Sequence, residues 1–203
     1  MIEISIENKS IQMYTDWSEI TFGTYIDIIN INKDKFSDME KGVRILAALS
    51  LNNKEEALEM LFKLTPQQFE ELSEYFTWLK EDFQTYIDNY KFEEKESFEI
   101  DGQNYVIKKD FDKLNMGEMV SLEVYLQNFK NLDPFEIAFG LLFRKVGPDG
   151  SFKEFDEVDF LETIHALKDK VKLVDVFKYI SFFLGGGKSS TTKNLQGFSV
   201  RKL

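Results

Sequence analysis

Few residues in this chain have the types and spacing that chemistry requires, and each candidate meets an obstacle close by. Gly185-Gly186-Gly187-Lys188-Ser189-Ser190 carries the Gly-Lys-Ser end of a phosphate-binding loop. Such a loop needs another glycine five residues before Gly187, where the backbone closes on the phosphates, and Phe182 stands there. It also needs a strand before it and a helix after it. Here an apolar helical pattern precedes the glycines and a Ser/Thr-rich, non-periodic tail follows, so the stretch reads as a helix stop and hinge. His165 is the single histidine and lies on a helix whose apolar face includes Ile164 and Leu167. The chain has no cysteine, so a transition-metal site would need carboxylates for nearly every ligand. No nucleophile elbow accompanies the histidine. It reads as a surface or half-buried helical residue.

The acidic pairs Glu55-Glu56, Glu70-Glu71 and Glu93-Glu94 are adjacent in sequence. On a helix, neighbours point about 100° apart instead of converging as a general acid and base. Asp156, Glu157 and Asp159 lack the Asp-x-Asp-x-Asp-Gly spacing of a calcium loop. No catalytic group, metal site, cofactor or small-molecule substrate is expected. The aromatic stripe Phe69, Tyr75, Phe76, Trp78, Leu79 and Phe83 is wider than one core face. Trp78 and Tyr75 lie off its main line, which leaves room for a partner surface beside the core.

What the chain offers in place of reactive groups is a pattern written twice. Ile4 to Met13, followed by Asp16-Trp17, recurs as Phe98 to Ile107, followed by Asp110-Phe111, without a gap and 94 positions later. The match continues through Ile20/Leu114 and Gly23/Gly117 to Ile45/Phe139 and Leu49/Phe143. Turns and core-facing positions repeat, as a duplicated scaffold does. Each copy opens with a hairpin, and a large aromatic follows it, Trp17 or Phe111, placed to fold the hairpin back onto the first helix. Asp101-Gly102 sits between alternating apolar residues, a strong turn signal, and Glu7-Asn8-Lys9 does the same work less decisively in the first copy.

The first helix is predicted to start at Thr21 or Asn115, the latter with Glu118 three residues on. The second starts at Ser37, or at Asp133 with Pro134 in the first turn. It carries Ile137, Phe139, Leu141, Leu142 and Phe143 in the second copy. Copy one adds a short helix around Ala57 to Phe62. A longer helix then opens at Thr65-Pro66-Gln67-Gln68 and carries Phe69, Leu72, Phe76, Leu79 and Phe83. Copy two inserts a hairpin at Gly147-Pro148-Asp149-Gly150, then resumes with Phe160 to Leu167 and Leu173 to Phe183. The reading is an α+β, mostly helical chain: a first unit over 1–90, a charged connector over 88–97, a second unit over 95–184 and an extended arm over 185–203.

Composition narrows the partners. The net charge of −11 argues against nucleic acid, which needs clustered Lys and Arg. Residues 185–203 carry Lys188, Lys193, Arg201 and Lys202 and no acid, which leaves −15 on the rest. Contact with nucleic acid is therefore expected only through the basic tail. That arm suits an acidic neighbour, with Leu195, Phe198, Val200 and Leu203 as apolar anchors; the alternative is a disordered tail. The alternating Ile2, Ile4 and Ile6 do not make a signal peptide. No apolar run approaches a membrane span.

The opening Ile-x-Ile-x-x-x-x-Ile-x-Met, then Asp16-Trp17-Ser18-Glu19-Ile20-Thr21-Phe22-Gly23-Thr24-Tyr25, resembles small acidic proteins of tailed bacteriophages. These are encoded in structural and tail-assembly gene blocks, including those of crAss-like phages infecting Bacteroidetes. The likeness covers about the first forty residues, with an echo over Asp110 to Tyr125. It implies a virion or assembly role: a portal, neck, ring or tail component, or a packaged internal protein. Such a protein is a homo-oligomer within a larger assembly of phage structural proteins, located in the virion and assembled in the host cytoplasm. The alternatives are a tail-assembly chaperone absent from the mature particle and an acidic inhibitor of a host factor. The resemblance carries over no functional residue.

Overall fold

Alternating apolar residues build the first hairpin, in which β1 (Ile2–Ile6) pairs antiparallel with β2 (Lys9–Met13). The computed structural model describes residues 1–81, 83–90, 95–107, 124, 132–147, 149–151 and 157–184. Ile4 faces Ile11 and Ile6 faces Lys9, so the turn holds only Glu7 and Asn8 and is tighter than the predicted Glu7-Asn8-Lys9. Glu7 takes a φ of 56°, in the left-handed region that two-residue hairpin turns use to match strand twist. In the second hairpin, β3 (Ser97–Ile100) pairs with β4 (Gln103–Ile107), with Phe98 facing Tyr105 and Ile100 facing Gln103. Every one of these pairs is a pair of the first hairpin moved by 94 positions. Asp101 and Gly102 sit in its turn at φ 53° and 75°.

The chain divides into two units, Met1–Glu93 with Lys168–Asp175, and Glu94–Leu167 with Val176–Leu203. In the first, α1 (Phe22–Lys33) begins after Thr21, whose hydroxyl accepts from the Thr24 amide. α2 (Asp38–Ala48) begins after Ser37, whose hydroxyl accepts from the Glu40 amide. The chain then returns to β2: the Tyr14 amide donates to the Leu49 carbonyl (3.1 Å) and the Leu51 amide to the Gln12 carbonyl (2.8 Å). α3 (Lys54–Leu61) is capped by Asn53. α4 (Pro66–Ser73) has the predicted capping box, with Thr65 and Gln68 each serving the other's amide. Ile11, Met13, Ile20, Phe22, Leu49 and Leu61 form the centre of this unit's core.

The long helix predicted from Thr65 through Phe83 does not exist as one piece. α4 ends at Ser73, a 3-10 helix covers Glu74–Lys80 with a kink at Phe76 (φ −113°, ψ 25°), and α5 (Phe83–Asn89) starts afresh. Three hydrogen bonds, two local and one from Trp17, accompany the break. The Ser73 hydroxyl donates to the Glu70 carbonyl (2.7 Å), a back-bond that bends helices. The Trp78 carbonyl accepts from the Glu81 amide (3.1 Å), a tight turn three residues long, and from the Trp17 indole (3.2 Å). Asp88 and Asn89 belong to α5 and Ser97 to β3, so the charged connector is shorter than the 88–97 expected.

In the second unit, α6 (Pro134–Leu142) opens on an Asp133/Glu136 capping box. Phe143, expected in this helix, turns extended (φ −94°, ψ 133°) and starts β5 (Phe143–Lys145), which pairs with β4. A turn follows, closed by the Gly147 amide on the Ser151 carbonyl (2.8 Å). The returning arm of that predicted hairpin falls at 152–156, outside the described residues. α7 (Glu157–Leu167) and α8 (Leu173–Leu184), whose first three residues belong to the first unit, complete the order. A Cβ on Gly140 would meet Phe160 at 2.6 Å and Ile164 at 2.8 Å, so α6 and α7 approach as closely as a bare backbone allows. Ile137, Leu141, Phe160 and Ile164 fill the contact.

The architecture is α+β and mostly helical, with two hairpins each followed by helices. Phe111, Asn115, Gly117, Glu118 and the first helix of the second copy lie outside the described residues. So does the whole arm over 185–203.

Lys168–Asp175, read from sequence as part of the second unit, belongs to the first. The Phe22 amide donates to the Val171 carbonyl and the Leu173 amide to the Ile20 carbonyl, both at 2.9 Å, around an antiparallel bridge between Thr21 and Lys172. Nothing in the 94-residue repeat announces this contact, because the segment has no counterpart in that register.

Candidate functional site

The residues that come together most densely lie around Trp17 in the first unit. The segment between β2 and α1 is a run of side-chain-closed turns. The Asp16 carboxylate accepts from the Ser18 amide (2.8 Å), and Glu19 accepts from the Thr15 amide (2.8 Å) and hydroxyl (3.1 Å). These bonds fix Trp17 pointing inward, 5 % exposed. The ring meets Trp78 edge-on at 4.9 Å, Phe83 at 5.0 Å and Tyr25 at 6.5 Å. Phe83 stacks on Tyr86 and Tyr86 on Tyr90, carrying the aromatic series out towards solvent at Tyr90. Edge and offset contacts of this kind add to the area each ring buries.

The Tyr86 hydroxyl donates to Asp16 (2.9 Å). Burial, and then the Asp16 acceptor, push the phenol up to about 12. Burial also pushes the Asp16 carboxyl up, but the hydrogen bonds from Ser18 and Tyr86 outweigh it and hold the carboxyl below its usual range. A phenol shifted up beside a carboxylate shifted down has little drive to exchange a proton near neutrality. The pair is built to stay as it is.

A second polar cluster lies in the other unit. Lys145 on β5 is 11 % exposed at its side chain and bridges Asp159 (2.7 Å) and Glu162 (2.6 Å) on α7. Burial lowers this lysine, but its two carboxylate partners outweigh that and raise it to about 12. The ammonium is a clamp between sheet and helix; a lysine acting as a base would have to be shifted the other way.

Of the partner-surface residues read from sequence, Tyr75 is exposed (66 %), while Trp78 is half-buried and turned to Trp17. Lys188, Lys193, Leu195, Phe198, Val200, Arg201, Lys202 and Leu203 lie outside the described residues, as does the Gly185–Ser190 loop. His165 is exposed on α7. Glu55 and Glu56 share the first turn of α3, and their amides both face the Asn53 cap. Among the described residues, no cluster of His, Asp or Glu could hold a metal ion. No helix among them is long and apolar enough to cross a membrane.

Sequence reasoning found Trp17 and missed Asp16–Tyr86 and the Lys145 clamp. Tyr86 is 70 residues from Asp16 and follows a helix break, so no periodicity links them. The clamp depends on β5, which the helical reading of Phe143 concealed. No family model, no curated protein and no solved structure matches this chain.

Proposed function

We propose that this chain is a non-enzymatic structural or assembly protein of a tailed bacteriophage particle, acting through protein–protein contacts and residing in the virion after assembly in the host cytoplasm. The observation that carries the reading is the use made of Asp16 to Tyr25, the segment on which the phage resemblance rests. Its polar and aromatic side chains cap, stack and close the first unit, and none is presented as a reacting group. Two further observations support it. Several of the described ion pairs tie one element to another, as in Lys54–Asp27 (2.6 Å) and the Lys145 clamp. Exposed Tyr75 and Phe62 offer apolar contact area on the first unit.

The partners proposed are other phage structural proteins and further copies of the same chain, with the basic arm as the contact for an acidic neighbour. Disrupting the reading frame in an infecting phage tests the idea. Infected cells should accumulate incomplete particles by electron microscopy, and supplying the intact chain should restore them. Normal particles from the disrupted phage would sink the assembly role. A chain lacking residues 188–203 should keep its melting curve yet fail to rescue. Rescue by that truncated chain would remove the arm from the reading.

A further inference from the structure

We propose that Ile20–Gly23, at the start of α1, is a docking notch for an acid-x-apolar-x-apolar segment. It is filled within the chain by Asp169, Val171 and Leu173, and Gly23 is the residue that determines whether the segment seats. The inference goes beyond the phage reading and does not depend on it.

The contact is made of main-chain groups. The Gly23 amide donates to the Lys168 carbonyl at 2.6 Å, the Phe22 amide to the Val171 carbonyl at 2.9 Å, and the Leu173 amide to the Ile20 carbonyl at 2.9 Å. Two of these donors, Phe22 and Gly23, are in the first turn of α1, where amides have no partner inside the helix. The docked segment supplies acceptors that the Thr21 cap does not reach. Val171 (2 %) and Leu173 (0 % exposed) are buried, while Asp169, Lys170 and Lys172 remain at the surface.

Gly23 has an ordinary helical backbone, so conformation does not require glycine there. Space does. A Cβ at Gly23 would come within 3.0 Å of the Asp169 carboxylate and would lie 3.1 Å from the Lys168 carbonyl oxygen. The carboxylate therefore lies beside the first turn of α1, the end of the helix that favours an anion. The chain enters this unit at Lys168 and leaves it after Asp175, so the segment is a short latch held from both ends by chain that belongs elsewhere. Released, it would expose Val171, Leu173 and the first amides of α1 together.

The test uses the full chain and limited trypsin digestion, read by mass spectrometry. Gly23→Val should speed cleavage after Lys168, Lys170 and Lys172 by roughly tenfold, while cleavage after Lys33 and Lys63 stays near the wild-type rate. Asn30→Val, on the exposed side of the same helix, controls for valine in a helix and should change none of these rates. Unchanged cleavage in Gly23→Val would overturn the notch. If every lysine is cut faster, the variant has lost its fold, and a second measurement decides. The chain has no cysteine of its own, and Thr21 and Lys172 are bridge partners within reach of a disulfide. Thr21→Cys/Lys172→Cys added to Gly23→Val should form that bond and restore protection at Lys168 and Lys170. Failure to form it, or formation without protection, would equally overturn the proposal.

Discussion

After its second helix, the first unit touches its hairpin at one bridge, Met13–Ser50, whereas the second unit lays down a strand, β5, along three residues of β4. The hairpins they return to share one register, 94 positions apart. The returns do not: Ile107 faces Phe143, one residue off the pair that Met13–Ser50 would become under the same shift. The ties differ as well. The first unit fixes its hairpin tip to α3 through Lys9–Glu56 and to the residues just after α3 through Lys63–Glu7, and its interior through the rings around Trp17. The second fixes β5 to α7 through Lys145. Strand pairing needs only alternation, which many apolar residues satisfy, so it survives divergence. A hydrogen bond or an aromatic contact needs one side chain in one place. Each copy has acquired its own.

Breaking the first unit's own ties should cost most. Trp17→Ala removes a buried indole and its bond to the Trp78 carbonyl, and should cost about 3–5 kcal/mol in urea unfolding. A retained melting temperature would mean that Trp17 is an exposed contact. Lys145→Met, which keeps the stem and removes the charge, should cost about 1–2 kcal/mol and should loosen α7 before α1 in hydrogen exchange. Equal loosening of both would erase the distinction between the units.

Titration separates the units further. Asp16 and Glu19 have folded carboxyls shifted down; in Glu19, burial opposes the shift and bonds from Thr15 and the terminal amine prevail. The folded state therefore binds fewer protons than the unfolded one, and their stabilisation is present above about pH 4 and lost as pH falls. Tyr86 and Lys145, each raised to about 12, contribute stability below about pH 10 that is lost as pH rises through 12. Tyr86→Phe should cost about 1 kcal/mol at neutral pH and flatten the acid limb of a Tm-against-pH curve, leaving the Lys145 part of the alkaline limb. An unchanged acid limb would show that Asp16 draws nothing from Tyr86.

The smallest effect is a gain. Glu7 adopts a left-handed φ that asparagine, aspartate and glycine tolerate better, and the second hairpin uses Asp101-Gly102 at the same two places. Glu7→Asp/Asn8→Gly should stabilise by about 0.5–1 kcal/mol, read as a rise in Tm. A loss would mean that the exposed Glu7–Lys63 pair matters more than the turn.

Both hairpins, the register of the second and the caps at Thr21, Ser37, Thr65 and Asp133 were legible in sequence because each is decided within a few residues. The helix break after Ser73 was not, since Phe76 and Phe83 keep helical spacing while the Trp17 indole, some sixty residues earlier, claims the Trp78 carbonyl. Phe143 was misplaced because an apolar run continues smoothly from α6 into β5. Asp16–Tyr86 and Gly23–Lys168 are long-range polar contacts with no periodic signature. Trp17 was the part of the candidate site that could be read, because a large aromatic between a hairpin and a capped helix has few places to go except inward.

Quantitative mass spectrometry of purified particles, with the major capsid protein as the internal standard, asks whether the chain is part of the virion. A virion component should be found at a fixed stoichiometry of several copies per particle, unchanged by a high-salt wash. Its absence from particles, with abundance in the infected-cell lysate, would contradict a virion component and leave the chaperone or inhibitor in its place.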